Sequence, residues 1–252
     1  MHPAKYLIRR AFDKAAPTYD GAAEMQRFAC HQLAAGLAAG LCPQVILDGG
    51  CGTGFGWRLL AERFPDARLI GLDLAPSMLV HARLPSGIVG DLEQLPLADA
   101  SVDLYWSSLT AQWCALSRLL PEAARVLRPG GHLAIATLGP ATFAELGTAF
   151  AAGDDYTHTL AFPPVDTLLQ HLATSGFREI VWQTELRTTH HVDLRTLLRS
   201  VKAIGANQLG SGRRRGLMTR ATLARAEAAY ENQRQPAGLP LSYDLVTLHA
   251  KK

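Results

Sequence analysis

No lysine occurs between Lys14 and Lys202, so that whole interval lacks the Gly-Lys-Ser/Thr ending on which a phosphate-cradling Walker loop depends. Cysteine is sparse: the 4 present, Cys30, Cys42, Cys51 and Cys114, show no short paired spacing, which argues against a zinc site or a disulfide framework. Cys51 reads as a small apolar filler rather than a reactive thiol. No stretch approaches the roughly 18 to 20 uninterrupted apolar residues of a membrane span. The opening Met1-His2-Pro3-Ala4-Lys5 has no apolar signal core, and a cytoplasmic protein without a membrane partner is expected. A strong excess of charge is also missing. The net charge is +3 and the pI about 8.7, too modest to demand nucleic acid.

What is present is a chain of 252 residues, 48% of them apolar, long enough for a substantial core. Its alternating strand and helix patterns predict an α/β fold with a sheet covered on both faces. Strands are expected near 45–48, 68–72, 87–90, 102–107 and 131–137, with helices near 55–64, 76–83 and 116–127. Arg128-Pro129-Gly130-Gly131 should close the last of these helices, because glycine ends a helix and proline cannot continue it. A helix Val165 to Ser175, a sixth strand Glu179 to Leu186 and a seventh from Leu241 to Ala250 follow. Ahead of the sheet, Tyr6 to Lys14 and Ala22 to Leu41 read as helices that cover the ligand site.

The most informative run is Val45-Ile46-Leu47-Asp48-Gly49-Gly50-Cys51-Gly52-Thr53-Gly54, an apolar strand, an acid and a glycine-rich turn ahead of the helix-like Phe55 to Phe64. Glycines let the backbone take positive φ or touch a ligand, and a strand-to-helix turn presents free N–H groups. A nicotinamide fingerprint needs Gly-x-Gly-x-x-Gly. Counted from Gly49 the third place is Cys51, and counted from Gly50 or Gly52 the sixth is Phe55 or Trp57, so no register fits. Asp-x-Gly-x-Gly-x-Gly does fit, on Asp48, Gly50, Gly52 and Gly54, and by this motif the chain resembles the class I S-adenosylmethionine (SAM) methyltransferases. An acid ahead of the glycines suits a cofactor that ends in an ammonium and has no phosphate to repel.

Asp73 closes the strand Arg68 to Leu72 about 25 residues after Asp48, where an acid accepts from ribose hydroxyls. The resemblance implies further contacts. Asp91 would accept from the adenine amino group, Leu92 would pack on its ring, Leu74 and Met78 would flank the cofactor, and Ser107-Ser108 would lie at its methionine end. It also implies a Rossmann-like, seven-stranded, mostly parallel sheet with the last strand antiparallel between the fifth and sixth, and S-adenosylhomocysteine as product. In place of the Leu-Ser-Pro common after the second strand stands Leu74-Ala75-Pro76. That start of a helix is weaker by about 1 kcal/mol unless Ser77 compensates.

Base methyltransferases usually carry Asn/Asp-Pro-Pro-aromatic after the fourth strand; here the run is Trp106-Ser107-Ser108-Leu109-Thr110-Ala111-Gln112-Trp113-Cys114. The segment Thr188 to Leu239 exceeds what a simple SAM domain needs and reads as a lid or substrate element. The organisation expected is one domain: a helical cover over 1–42, a cofactor core over 43–187, an insert over 188–238 and the final strand over 239–252.

Arg10 to Asp20, Leu109 to Cys114, the helix Leu198 to Ala206 and Pro240-Leu241-Ser242-Tyr243 together resemble the malonyl-acyl-carrier-protein O-methyltransferases of biotin synthesis. The acceptor this implies is a malonyl carboxylate, ionised at neutral pH, so no general base is needed and no catalytic dyad is expected. Substrate-orienting candidates are Arg199 with Lys202, as a cationic clamp or as a solvent-facing pair on an amphipathic helix. Tyr19 and Gln26 would bond cofactor or substrate, or Tyr19 would anchor the cover; Gln112 and Trp113 would line an acyl pocket, or Trp113 would be core. The implied partner is an acidic acyl carrier protein, for which Arg213, Arg214, Arg215, Arg220 and Arg225 form a candidate docking cluster or a solvated loop. Methylation of another small acid or a quinone ring, or a non-catalytic SAM- or carrier-binding module, are the other readings.

Overall fold

A computed structural model describes residues 3–205 and 218–252. Its sheet has seven strands in the order β3-β2-β1-β4-β5-β7-β6, namely β1 (Val45–Gly49), β2 (Arg68–Asp73), β3 (Gly87–Val89), β4 (Val102–Ser108), β5 (Leu127–Leu138), β6 (Arg178–His191) and β7 (Leu239–Lys251). The first five run parallel, and β7 is antiparallel to both β5 and β6. Chain order reverses across the neighbours β1 and β4, which places a ligand crevice at their carboxyl ends. The middles of both central strands are apolar, with Ile46, Leu47, Leu104, Tyr105 and Trp106 fully buried, as strands covered on two faces must be.

The covering helices are α1 (Pro3–Ala22), α2 (Glu24–Ala35), α3 (Phe55–Arg63), α4 (Pro76–Ala82), α5 (Leu116–Val126), α6 (Ala144–Ala151), α7 (Val165–Thr174), α8 (Leu194–Ala203) and α9 (Arg220–Glu231). None is long and apolar enough to cross a membrane. α5 illustrates the logic: Leu119, Leu120, Ala123 and Val126 are buried and share one stripe.

Several boundaries differ from expectation. α1 continues through Pro17 to Ala22 instead of ending at Lys14, and this extension is what carries Tyr19 over the glycine turn. α2 is shorter, stopping at Ala35. β5 starts at Leu127, directly after α5, so Arg128-Pro129-Gly130-Gly131 lies inside the strand at a register shift. β6 and β7 pair continuously from His191↔Leu239, which shortens the segment between them to 192–238. α6 was not foreseen. The expected helix end around Ala206 and Asn207, and Arg213, Arg214 and Arg215, lie outside the described residues.

α4 gains its missing cap from another helix. Ala75 offers no side-chain cap, but the Ser77 N–H donates to Asp13 Oδ1 of α1 at 2.9 Å. The compensation comes from the Asp13 carboxylate, not from the Ser77 hydroxyl, and it ties the cover to the core.

Candidate functional site

The glycine turn packs between β1 and β2. The N–H groups of Gly50 and Cys51 both donate to the Leu72 carbonyl, at 2.7 and 3.0 Å, and the Gly52 N–H donates to Asp73 Oδ2 at 2.9 Å. Gly50 has φ +75° and a Cβ there would sit 2.2 Å from Thr110 Oγ1, so only glycine fits. A Cβ on Gly52 would meet nothing closer than Tyr19 Cε1 at 3.9 Å, because this stretch of backbone borders open space. Gly54, in the left-handed region, caps α3 and borders none of the cavities described. The role visible for it is conformational, at the start of α3.

Three cavities meet at Tyr19, which borders each of them. The first runs along the β2 and β3 ends and is lined by Gly50, Gly52, Asp73, Leu74, Met78, Asp91 and Leu92. The structure thus gathers seven of the residues expected on the cofactor around one space. Asp73 is fixed from both sides, its second oxygen accepting from the Ala75 N–H at 2.8 Å. Burial pushes its carboxyl up to about 6 against the pull of those N–H groups.

The second cavity holds Asp48 with Gln26, Arg27 and Arg58. Asp48 Oδ2 and Gln26 Oε1 are buried without a hydrogen-bond partner among the described residues. Burial, and then the charge of Asp73, push the Asp48 carboxyl up to about 8, a poise that a cation would reverse. Arg27 donates to the Asp20 carbonyl at 2.7 Å and Arg58 to the Thr53 carbonyl at 3.2 Å, leaving guanidinium donors over. Free acceptors beside two arginines are the complement of an amino-acid zwitterion, so the residues fit the methionine end of SAM. Ser107 is elsewhere. Fully buried, it donates to the Gly49 carbonyl at 2.7 Å, while Ser108 borders both cofactor cavities. Successive strand residues face opposite ways, so of the expected serine pair it is Ser108 that borders the cavities. Cys51 is buried, which raises its thiol pKa and keeps it protonated.

The third cavity, about 170 Å³, is mostly apolar. Phe12 and Trp113 meet edge to face there with ring centroids 5.6 Å apart, and Leu138, Phe143, Leu198 and Val201 add walls. Gln112 borders it with its amide committed, Nε2 to the Leu109 carbonyl at 2.7 Å and Oε1 to Thr137 at 3.4 Å. His158 also lines it, 2.7 Å from Asp154 and stacked on Phe150. Arg199 and Lys202 do not. Both are exposed on the outer side of α8, whose Leu198, Val201 and Ile204 face the cavity. A direct clamp on substrate in the cavity is therefore not what the structure places there, because the apolar stripe of the helix takes the inner face. Of the expected docking arginines, Arg220 is exposed and Arg225 donates to the Gly153 carbonyl at 2.6 Å.

Arg27, Arg58 and His158 were not singled out from the sequence. Arg58 alone carried a usable signal, an arginine in the first turn of the helix that follows the glycines.

A family model described as a methyltransferase domain matches residues 47–135. The chain is 53% identical over 251 residues to the malonyl-[acyl-carrier protein] O-methyltransferase of Dechloromonas aromatica, covering 99% of this chain and 95% of that one. It is 41% identical over 255 residues to the protein of the same name from Herminiimonas arsenicoxydans, covering 98% and 96%. Among solved structures, the Haemonchus contortus phosphoethanolamine N-methyltransferase 2 in complex with S-adenosyl-L-methionine superposes with a TM-score of 0.57 at 17% identity. That match covers 95% of this chain and 57% of the other, and it speaks to the fold alone.

Proposed function

The chain belongs to the malonyl-[acyl-carrier protein] O-methyltransferase family, and from that premise we propose that it esterifies the free carboxylate of a malonyl thioester held on an acidic acyl carrier protein, early in pimeloyl and biotin synthesis. SAM, when bound, supplies a methyl group on a positively charged sulfur. Asp48 and Gln26 would hold its ammonium, Arg27 and Arg58 its carboxylate, and the cavity from Asp73 to Leu92 its adenosine.

The observation that carries the reading is the placement of Tyr19, which borders the two cofactor cavities and the apolar one alike. A carboxylate entering through the apolar cavity loses water and faces the cofactor end to end. It is ionised at neutral pH, so orientation and desolvation supply the rate and no side chain has to remove a proton. Tyr19 contributes by position and as a neutral hydroxyl, since burial and then Asp73 raise its pKa. Gln26 and His158 complete the polar rim around the acceptor.

Arg199 and Lys202 take a second role in this reading. With Arg195 they form a basic stripe on the outer face of α8, one helix away from the cavity that Leu198, Val201 and Ile204 line. An acidic carrier docked on this stripe would present its arm at the cavity mouth. The paired substitution Arg199→Glu and Lys202→Glu should lower kcat/KM for malonyl carrier at least tenfold while changing turnover of a small malonyl thioester less than about twofold. Equal losses on both acceptors would contradict docking at α8. Full methyl transfer to free acids or quinones without a carrier would favour the other acceptor classes.

A further inference from the structure

Lys5 lies near the start of α1 and is buried, with a side chain only 11% exposed. Its ammonium contacts Glu93 Oε1 at 2.7 Å, Asp91 Oδ1 at 3.0 Å and Cys114 Sγ at 3.6 Å. Burial alone would lower its pKa, but Cys114 and the two carboxylates outweigh it and hold the group above its ordinary value, so it stays charged. Lys5 itself borders the first cavity, together with Asp91 and Cys114. A lysine that only anchored the cover would not need to share a ligand cavity with its partners.

Asp91 is held asymmetrically. Its Oδ1 accepts from Lys5 and from the Glu93 N–H, each at 3.0 Å, whereas no described residue donates to Oδ2. Glu93 in turn accepts from the Ala115 N–H at 2.8 Å. The ammonium therefore joins three segments: α1, the turn after β3 and the start of α5. Without it, the Asp91 and Glu93 carboxylates would lose the cation between them, and their repulsion would turn them apart.

We propose that Lys5 is a positioning residue for the nucleobase end of the cofactor site. By engaging one oxygen of Asp91 it leaves the other to accept from the cavity, and so makes the site select a base with an exocyclic amino group over one with a carbonyl at that place. The inference rests on the reading of this cavity as the adenosine site. Selectivity of this kind is strong because a carbonyl facing a carboxylate leaves two acceptors unpaired.

The test is calorimetric titration of the full chain with S-adenosylhomocysteine and with its deaminated analogue S-inosylhomocysteine. Unaltered protein should bind the adenosyl compound at least tenfold more tightly. Lys5→Met should shrink that ratio below about threefold, chiefly by weakening the adenosyl compound, and Lys5→Arg should restore part of it. Lys5→Gln carries the same expectation should Lys5→Met fail to fold. A variant that weakens both compounds equally, or leaves the ratio unchanged, overturns the role of Lys5 while leaving the cofactor assignment standing. No binding of S-adenosylhomocysteine to the unaltered protein overturns both.

Discussion

Asp48 shows how one residue trades stability against binding. Its carboxyl sits at about 8 in the fold against an ordinary 3.8, so between roughly pH 4 and 8 the folded protein holds a proton that the unfolded chain has lost. Stability of the ligand-free protein must then fall as pH rises through that window. Asp73, at about 6, adds the same slope over its lower part. Asp48→Asn should therefore raise Tm at pH 8 by roughly 2–4 °C, the effect of about 1 kcal/mol in a chain of this size, with the gain vanishing toward pH 4. The same variant should bind SAM at least tenfold more weakly, since the ammonium loses its charged partner. Equal melting curves and equal affinities would show that Asp48 neither carries the strain nor meets the cofactor. This residue was legible in the sequence because the motif needs an acid at a fixed place before its glycines. Ser107 and Ser108 were legible only as a pair: two adjacent serines at a strand end differ only in the face they take, and pairing with β1 and β5 decides that.

At the scale of elements, the parallel strands were readable because burial on both faces demands unbroken apolar runs, and their ends were not, because pairing partners set them. β7 draws β6 out to His191, a consequence of contacts far apart in the chain. α6 was missed although Leu146, Ala149 and Phe150 are buried at helical spacing, since Gly147 and Thr148 dilute a helix of only 8 residues. α1 matters most for function. It reaches from Lys5 at the nucleobase cavity to Tyr19 at the junction, and Asp13 midway caps α4, which carries Met78. Asp13→Ala should cost about 1 kcal/mol, the usual loss for an N-cap carboxylate, read as a lower denaturation midpoint. It should also weaken S-adenosylhomocysteine several-fold. A loss of stability with no loss of affinity would separate the cover from the cofactor site.

Across the whole molecule, the division of α8 into an apolar inner face and a basic outer one links substrate and partner. Leu198, Val201 and Ile204 line the apolar cavity while Arg195, Arg199 and Lys202 face out, so under the proposed function a single helix reads both the acyl group and the protein that delivers it. The identities of these residues were visible in the sequence, but only packing against α1 tells which stripe turns inward, and of the two readings open for Arg199 and Lys202 the structure has the solvent-facing pair. The chain as a whole is then a helical cover, a crevice at the carboxyl ends of β1 and β4, and a helix with a basic outer face, arranged around the neighbourhood of Tyr19. The most direct measurement is intact-mass spectrometry of malonyl carrier protein incubated with the enzyme, with and without SAM. One methyl group should appear on the malonyl arm only when SAM is present and should disappear on ester hydrolysis. An active, SAM-binding preparation that leaves the carrier mass unchanged would contradict carboxylate methylation.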